Sequence, residues 1–310
     1  MTTGVVLPYW PDRPPLEALD VADAAERLGF DELWVGEMAT FDAFALGAAV
    51  ATRTTRITIT VGPLAVAVRD PVALALGAAS VSSLGGRPAN LALGVSTPVV
   101  VETWHGRRWQ GSLGRLRETV AATRLLLAGE KERGFRLRLD PAPATITVAA
   151  FGDGTTTAAA ELADRMVVNL VTPAQAANLR HKLERAAAQC GRPVPPLAAW
   201  VTAAVDPGEE TVDQLRRALV PYLGAPGYGE MFAAAGFGDL VDSARRGSHP
   251  RELFAALPVE LVEAVGAVGD AATVRKRLDT YRDAGVAHIA VVPATAGDPA
   301  GERTLAAIRG

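Results

Sequence analysis

The two ends of the chain carry the same helix-to-strand pattern, and this repetition limits the possible folds more than any other feature. Residues 16–28 have a helical pattern that ends at a glycine, and an apolar strand pattern follows at 32–36. Residues 273–283 repeat the helix and the glycine, and 288–293 repeat the strand. A glycine after a helix, followed by a β-rich run without polar alternation, is typical of units that build a parallel sheet. The sequence therefore predicts one repeating α/β arrangement.

Eight strand patterns can be read in all, and helical patterns separate most of them. The strands are expected at 4–7, 32–36, 57–61, 90–95, 145–149, 166–170, 198–205 and 288–293. The helices are expected at 16–28, 43–51, 71–84, 113–127, 155–164 (with threonine caps), 173–189 and 273–283. This alternation predicts an α/β fold, a (β/α)8 TIM barrel that forms one domain over residues 1–310. The stretch 206–269 is expected to be a helical insertion between strands seven and eight.

The alternative fold is a doubly wound open sheet, which needs a glycine-rich turn after its first strand. Tyr9-Trp10-Pro11 follows that strand here, so the barrel is favoured.

Composition excludes several classes of partner. The net charge of −3 argues against nucleic acid, because phosphate binding needs a clustered positive surface. The single cysteine, Cys190, allows no internal disulfide, which fits a reducing compartment. No apolar run reaches the roughly 18 residues that a membrane helix needs, and no signal peptide is recognised at the N-terminus. We expect a cytoplasmic protein that acts on a small molecule.

The functional residues of such a barrel lie at the C-terminal ends of its strands. These ends carry aromatic and small residues and few carboxylates, which favours a large planar ligand over a hydrolytic site. They comprise Tyr9, Trp10, Glu37, Met38, Pro63, Leu64, Ala65, Ser96, Thr97, Phe151, Gly152, Asp153, Gly154, Asn169, Thr202 and Pro293. The four histidines have no metal-ligand spacing, so no metal site is expected.

Each of three local patterns has two interpretations. Residues 151–156 open a helix whose N–H groups would suit a phosphate, or they form an ordinary turn; Asp153 would repel an anion unless it points away. Glu37 either contacts a ligand or caps the next turn. The loop that contains Trp104 and two arginines, Arg107 and Arg108, either meets an anionic ligand or is solvated.

Taken together, several segments identify a family. They are Leu28-Gly29-Phe30-Asp31-Glu32-Leu33-Trp34-Val35-Gly36-Glu37, Arg69-Asp70-Pro71, 91–96, 101–109, 149–152, 161–164, 268–270 and 283–286. Their order and spacing resemble the bacterial luciferase-like monooxygenases and reductases, most closely the actinobacterial branch that uses the deazaflavin coenzyme F420. The resemblance covers nearly the whole chain.

The resemblance implies a role for each strand end. Glu37 would lie near the deazaflavin ring and, with Ser96, closest to the chemistry. A bulge with a non-proline cis peptide around 63–65 would support the ring, so that Leu64 and Ala65 bind the cofactor. The remaining cofactor contacts would come from Ser96, Thr97, Phe151, Gly152, Asp153, Gly154 and Thr155, of which the last five would hold the phosphate. The substrate pocket would be formed by Tyr9, Trp10, Met38, Trp104 and Asn169. The resemblance also implies a homodimer.

The chain departs from the family pattern at four positions. Ala65 and Ala67 stand where polar or aromatic residues are expected, Thr97 stands where a histidine is expected, and Arg165 replaces a frequent glycine. Each change is expected to remove a polar partner or to alter the shape of the barrel mouth, so that either the substrate is bulky and apolar or cofactor binding is weakened.

The first hypothesis is an oxidoreductase that transfers a hydride between F420 and a small organic substrate. The alternatives are an FMN-dependent two-component monooxygenase, and a relative without cofactor that acts as an isomerase, a cyclase or a binding protein. The insertion, with Tyr222 and Tyr228, either folds over the mouth and helps to select the substrate or packs on the side of the barrel.

Overall fold

Eight parallel strands close into a barrel in the computed structural model of the chain, which describes residues 2–37, 39–139 and 144–310. The strands are β1 (Thr2–Val6), β2 (Glu32–Val35), β3 (Thr58–Ala65), β4 (Ala89–Gly94), β5 (Ile146–Ala149), β6 (Arg165–Asn169), β7 (Leu197–Val205), β8 (Gly266–Gly269) and β9 (Val286–Pro293). The ring runs from β1 to β7, continues with β9 and returns to β1, and β8 pairs with β7 outside the ring. The predicted TIM barrel is confirmed.

Helices surround this ring. They are α1 (Glu17–Arg27), α2 (Ala43–Arg53), α3 (Pro71–Gly85), α4 (Ser112–Leu127), α5 (Asp153–Leu162), α6 (Pro173–Gln189), α7 (Glu209–Leu219), α8 (Tyr228–Phe232), α9 (Gly238–Arg245), α10 (Pro250–Ala256), α11 (Val259–Val265), α12 (Ala271–Asp283) and α13 (Glu302–Arg309). Across the described ranges, no helix is long and apolar enough to cross a membrane. The apolar sides of the surrounding helices and the outward-facing side chains of the barrel strands form the main core.

Local sequence explains where helices α3 and α6 begin. Helix α6 starts with Pro173, whose missing N–H costs nothing there, and Thr172 and Gln175 form a reciprocal capping box in front of it. Asp70 caps α3 in a similar way by accepting a hydrogen bond from the Ala73 N–H. These signals explain why the predicted starts of α3 and α6 agree with the structure.

The expected threonine caps of α5 are not formed. The helix begins two residues earlier than expected, after Gly152, and no side chain caps it. The Thr155 and Thr157 hydroxyls instead donate to the carbonyls of Gly152 and Asp153 within the first turn. The first N–H groups of α5 therefore have no acceptor within the helix.

The stretch 206–269 contains α7 to α11 and is not helical throughout. It also contains a 3-10 turn (Val220–Tyr222), a π-helix (Ala233–Phe237) and, at its end, β8. Strand β8 lies beside β7 and pairs with it in parallel, with Thr202 opposite Gly266 and Val205 opposite Gly269. The apolar faces of α7, α10 and α11 pack into a second core together with Trp10.

The bottom of the barrel interior, at the N-terminal ends of the strands, holds a buried cluster of charged groups. Glu32 on β2 accepts two hydrogen bonds of 2.7 Å from Arg165 on β6, and the Arg165 guanidinium lies 4.4 Å from the centre of the Trp34 ring. The His288 Nε2 on β9 lies 3.1 Å from the Glu32 Oε2. Arg165 was expected to alter the barrel mouth; it instead lies at the opposite end, because it is the first residue of its strand.

Candidate active site

The third strand bends where it reaches the mouth of the barrel. Its pairing with β4 shifts register between Val61 and Leu64, and the Gly62–Pro63 peptide bond is cis. A Cβ atom at position 62 would lie 2.1 Å from the Ala92 carbonyl oxygen, so only glycine fits there. A bulge was expected at this place, but the cis bond precedes proline and the expected non-proline cis peptide is wrong. Proline reduces the free-energy cost of a cis bond, which explains the difference.

Small residues beside this bend leave a strip without large side chains. Gly94 ends β4 between two neighbours: its Cβ position would lie 3.3 Å from the Ala149 Cβ and 3.9 Å from the Pro63 Cβ. Ala65 ends β3 and pairs with Gly94. The Leu64 side chain packs into the main core and is not available to a ligand. The ends of β3, β4 and β5 therefore meet through small side chains along this strip.

Beyond the end of β4 the backbone is strained. Ser96 has a φ of 58°, a left-handed conformation that is rare for residues other than glycine and that clusters at functional sites. The Trp109 indole N–H donates to the Ser96 carbonyl at 3.2 Å and so ties the following loop to this strand end. Thr97 precedes a π-helix (Val99–Trp104) and accepts a hydrogen bond from the Val101 N–H through its carbonyl.

Glu37 forms an ion pair at the rim of the mouth. Arg69, which follows β3, donates its Nε to the Glu37 Oε2 at 3.1 Å and its Nη2 to the Glu37 Oε1. The same guanidinium contacts Asp42, the N-cap of α2. Burial alone would raise the pKa of Asp42, but the hydrogen bond from Arg69 holds it below its ordinary value. The three side chains therefore fix the loops after β2 and β3 to each other.

The turn after β5 presents the uncapped start of α5. Asp153 is exposed and pairs with Lys182 on α6 at 2.7 Å, and this contact lowers the pKa of its carboxyl. A Cβ atom at Gly154 would lie 2.7 Å from the Leu113 Cδ2, so glycine allows α4 and α5 to pack closely. Lys182 balances the charge of Asp153 in the first turn of α5, and the uncapped N–H groups there are available to an anion.

Three tyrosines from distant parts of the chain meet over the opposite side of the mouth. Tyr9 follows β1, Tyr222 and Tyr228 come from the insertion, and we call the three the tyrosine cap. The Tyr9 hydroxyl neighbours that of Tyr222, and the Tyr228 hydroxyl neighbours the Asn169 side chain at the end of β6. The centre of the Tyr228 ring lies 4.7 Å from the ring centres of both Tyr222 and Phe151. The insertion therefore covers part of the mouth.

All three hydroxyls are protonated at neutral pH. Burial raises the pKa of Tyr9 well above its ordinary value, and the neighbouring tyrosines add to this shift. Burial likewise raises the pKa of Tyr222 and of Tyr228. Each of the three residues is half-buried, so the tyrosine cap is a packed group of neutral aromatic side chains at the edge of the mouth.

A buried tryptophan on β7 approaches the end of β2 beside Tyr9. Trp200 lies on β7 opposite Asn169 and packs edge-on against Trp34 at 5.7 Å. Its ring reaches across the barrel, so that its Cη2 lies 3.6 Å from the Cβ position of Gly36. Trp200 is 6% exposed, and its Nε1 has no hydrogen-bond partner within the part of the chain that the structure describes.

The predicted site residues therefore fall into separate groups. Tyr9, Asn169 and Phe151 meet at the tyrosine cap, while Ser96, Thr97 and Ala65 lie by the strip. Trp10 is buried, and its Nε1 donates to the Pro293 carbonyl at 3.0 Å. Trp104 is 50% exposed on the π-helix, and Met38 lies outside the described residues. In the described ranges, no group of three histidine, cysteine or acidic side chains could hold a metal ion.

Two residues of the site were missed from the sequence. Arg69 was noticed as part of a motif, but nothing in the sequence pairs it with Glu37, because the two are 32 positions apart. Trp200 could have been found, because inward and outward side chains alternate along a barrel strand and it lies two positions before Thr202 on the same face.

Known proteins share the sequence pattern and the fold of this chain. A family model described as "Luciferase-like monooxygenase" matches residues 1–288. A curated protein of Mycobacterium tuberculosis (strain ATCC 25618 / H37Rv), named "Putative coenzyme F420-dependent oxidoreductase", is 28% identical over 345 aligned positions that cover 99% of each chain.

Solved structures share the fold at lower identity. An F420-dependent secondary alcohol dehydrogenase in complex with an F420-acetone adduct has a TM-score of 0.78 at 17% identity, covering 100% of this chain and 99% of that chain. The F420-dependent tetrahydromethanopterin reductase of Methanopyrus kandleri has a TM-score of 0.81 at 17% identity, with coverage of 100% and 98%. The oxygenating constituent of the Pseudomonas putida 3,6-diketocamphane monooxygenase, in complex with FMN, has a TM-score of 0.71 at 19% identity, with coverage of 100% and 96%.

Proposed function

Since the chain belongs to the luciferase-like monooxygenase family, we propose that it is an oxidoreductase that transfers a hydride between the deazaflavin F420 and a small organic substrate. The curated relative, which matches over its full length, supports F420 by its name. The observation that carries the proposal is the strip between the β3 bend and the end of β5. Gly94 and Ala149 leave it free of large side chains, and the uncapped start of α5 lies at one end of it.

Different residues of the mouth would contact the ring of the cofactor, its phosphate and the substrate. The β3 bend and the end of β4 would support the ring, with Ala65, Ser96 and Thr97 beside it, while the α5 N–H groups would donate hydrogen bonds to the phosphate. The tyrosine cap would cover the substrate and exclude water. When bound, the deazaflavin supplies the carbon that donates or accepts the hydride.

Glu37 and Ser96 remain the residues proposed to lie closest to the chemistry. Arg69 holds the Glu37 carboxylate in one orientation, so Glu37 acts as a fixed hydrogen-bond acceptor and not as a freely moving base. The left-handed Ser96 turn directs the chain from β4 into the loop that Trp109 ties down. The proposal assigns Glu37 to the cofactor ring and Ser96 to the ring or the ribityl chain.

A pair of titrations tests the proposal. Purified protein is titrated with F420 and, separately, with FMN, and the fluorescence of each cofactor is followed. We expect F420 to bind at tens of micromolar or below and FMN to bind more weakly. A Gly94→Val variant should lose at least about tenfold in F420 affinity, because its side chain would fill the strip, whereas Gly114→Ala on the open face of α4 should not.

The alternatives predict other outcomes of the same experiment. Tight binding of FMN alone, with oxygen uptake in the presence of reduced FMN, would replace the F420 proposal with a two-component monooxygenase. Binding of neither cofactor, combined with turnover or tight binding of a substrate by the cofactor-free protein, would support a relative without redox chemistry.

A further inference from the structure

We propose that Arg165, at the bottom of the barrel, is a positioning residue for the mouth and acts through two tryptophans, Trp34 and Trp200. We call these three side chains the interior column, because they follow one another from the bottom of the barrel towards its mouth. The part of this inference that concerns the cofactor rests on the proposed function, since the strip that the column supports is the proposed F420 site.

The lower end of the interior column is fixed by the hydrogen bonds of Arg165. Its Nη1 and Nη2 each donate to a carboxylate oxygen of Glu32 at 2.7 Å, and its Nε donates to the Thr147 hydroxyl at 3.1 Å. Hydrogen bonds from three nitrogens hold the plane of a guanidinium in one orientation. The Arg165 Cζ lies over the Trp34 ring, 4.4 Å from its centre. Trp34 therefore rests on a group that cannot turn away.

Trp34 connects this fixed group to Trp200. Trp34 is completely buried, and its indole N–H donates to the His288 Nε2 at 3.2 Å. The centre of its ring lies 5.7 Å from that of Trp200, and the two ring planes stand at 81° to each other. Side chains in a close-packed interior transmit displacements to their neighbours. A change in the position of Trp34 would therefore move Trp200.

The interior column reaches the mouth because Gly36 leaves space for it. Trp34 and Gly36 are two positions apart, so both face the interior of the barrel. The Trp200 Cη2 and the Tyr9 Cε1 lie 3.6 and 3.2 Å from the position that a Gly36 Cβ would occupy. Trp200 therefore packs beside the backbone that leads to Glu37 and beside one ring of the tyrosine cap.

The interior column also lies under the strip. Trp34 and Trp200 belong to one cluster of buried side chains inside the ring, and Ala149 at the end of β5 packs against this cluster. The Ala149 Cβ in turn lies 3.3 Å from the position of a Gly94 Cβ. The column therefore supports two parts of the mouth, the strip and the segment that contains Glu37.

Arg165→Lys tests the column without removing the charge that balances Glu32. Lysine keeps the positive charge but lacks the flat guanidinium, so it cannot support the Trp34 ring in the same way. We expect the variant to bind F420 about fivefold more weakly than the wild type. Arg53→Lys alters an exposed ion pair with Asp23 on the outside of the barrel and should leave the affinity unchanged.

A second variant serves if Arg165→Lys does not fold. Glu32→Gln combined with Arg165→Met removes both buried charges together, so that neither is left without a partner. This double variant should show the same loss of F420 affinity. An affinity equal to that of the wild type, in either variant, would overturn the role of Arg165 in cofactor binding.

A double-mutant cycle tests the path through the tryptophans. Trp200→Phe shortens the column at its upper end and should itself weaken F420 binding. If Arg165 acts through Trp200, adding Arg165→Lys to Trp200→Phe should cause less than about a twofold further loss. An equal fivefold loss in both backgrounds would show that Arg165 acts by another route and would overturn the proposal.

NMR spectra of the cofactor-free protein give a readout that does not depend on F420. Arg165→Lys should shift the indole N–H signal of Trp200 and the backbone N–H signal of Gly36, whereas Arg53→Lys should shift neither. Unchanged signals at both positions would overturn the column, even in a protein that binds F420. Shifted signals in a protein that does not bind F420 would support the column and reject the proposed function.

Discussion

Gly62 is the residue on which the geometry of the mouth depends most directly. Its φ of 123° is accessible to glycine alone, and the Ala92 carbonyl occupies the space of a side chain. We expect Gly62→Ala to destabilise the fold by about 3 kcal/mol or more and to abolish F420 binding, because β3 and β4 must move apart. Chemical denaturation and the F420 titration measure the two effects.

Gly114→Ala is the matched control for this prediction. Position 114 lies within α4, and no atom lies within 4 Å of its Cβ position. Alanine there should be neutral or stabilise the protein by up to about 1 kcal/mol, since it favours the helix. A Gly62→Ala variant as stable as this control would show that the bend is not constrained by the Ala92 carbonyl.

At the scale of elements, the cluster at the bottom of the barrel links four strands. Glu32 on β2 contacts both Arg165 on β6 and His288 on β9 inside the ring, and the Thr2 hydroxyl on β1 lies 2.7 Å from the His288 Nδ1. Burial would raise the pKa of Glu32, but the hydrogen bonds from Arg165 hold it below its ordinary value. Burial also lowers the pKa of His288 to about 4.

This histidine should make the fold sensitive to mild acid. Unfolded histidine has a pKa of about 6.5. Below that pH the unfolded state therefore binds a proton at this residue, whereas the folded state stays neutral until the pH approaches 4. The free energy of unfolding should therefore fall by roughly 2 kcal/mol between pH 7 and pH 5 from this residue alone. The carboxylate of Glu32 adds to the loss only at lower pH, where it begins to be protonated.

Denaturation curves at several pH values, with two variants, measure the contribution of His288. His288→Gln should lose this part of the pH dependence, and the exposed His181→Gln should keep it. In a proton NMR titration the His288 ring should remain neutral down to pH 5. A midpoint near 6.5 for that ring would contradict the prediction.

Most elements were predictable because their signals are local. Pro173 with its capping box marks the start of α6, and the β-branched run before the bend marks β3. Strand β8 was missed because Gly266–Gly269 is short, follows α11 without a turn signal, and pairs only through its contact with β7. The π-helix before Trp104 was missed as well, since a rare hydrogen-bond pattern leaves no distinct periodicity in six residues.

At the scale of the whole molecule, the similar units at the two ends of the chain become neighbours. Strand β1 lies between β2 and β9 and so closes the ring, and Arg27 at the end of α1 contacts Glu302 at the start of α13. This repetition, together with the eight alternating strand and helix patterns, was therefore enough to predict the barrel. It was not enough to predict the site, because the tyrosine cap depends on how the insertion folds back and on contacts between residues about 200 positions apart.

The outer surface of the barrel supports a prediction about assembly. Leu76 and Leu84 are 43% and 63% exposed, and their spacing places them on one side of α3. We propose that this side of α3 forms the interface of a homodimer, since a symmetric pair would bury both leucines of each chain. Light scattering should give twice the mass of the chain, and Leu76→Lys with Leu84→Lys should return it to a single chain. Leu16→Lys, which alters an equally exposed leucine before α1, should leave the dimer intact, whereas a wild-type monomer at all concentrations would contradict the proposal.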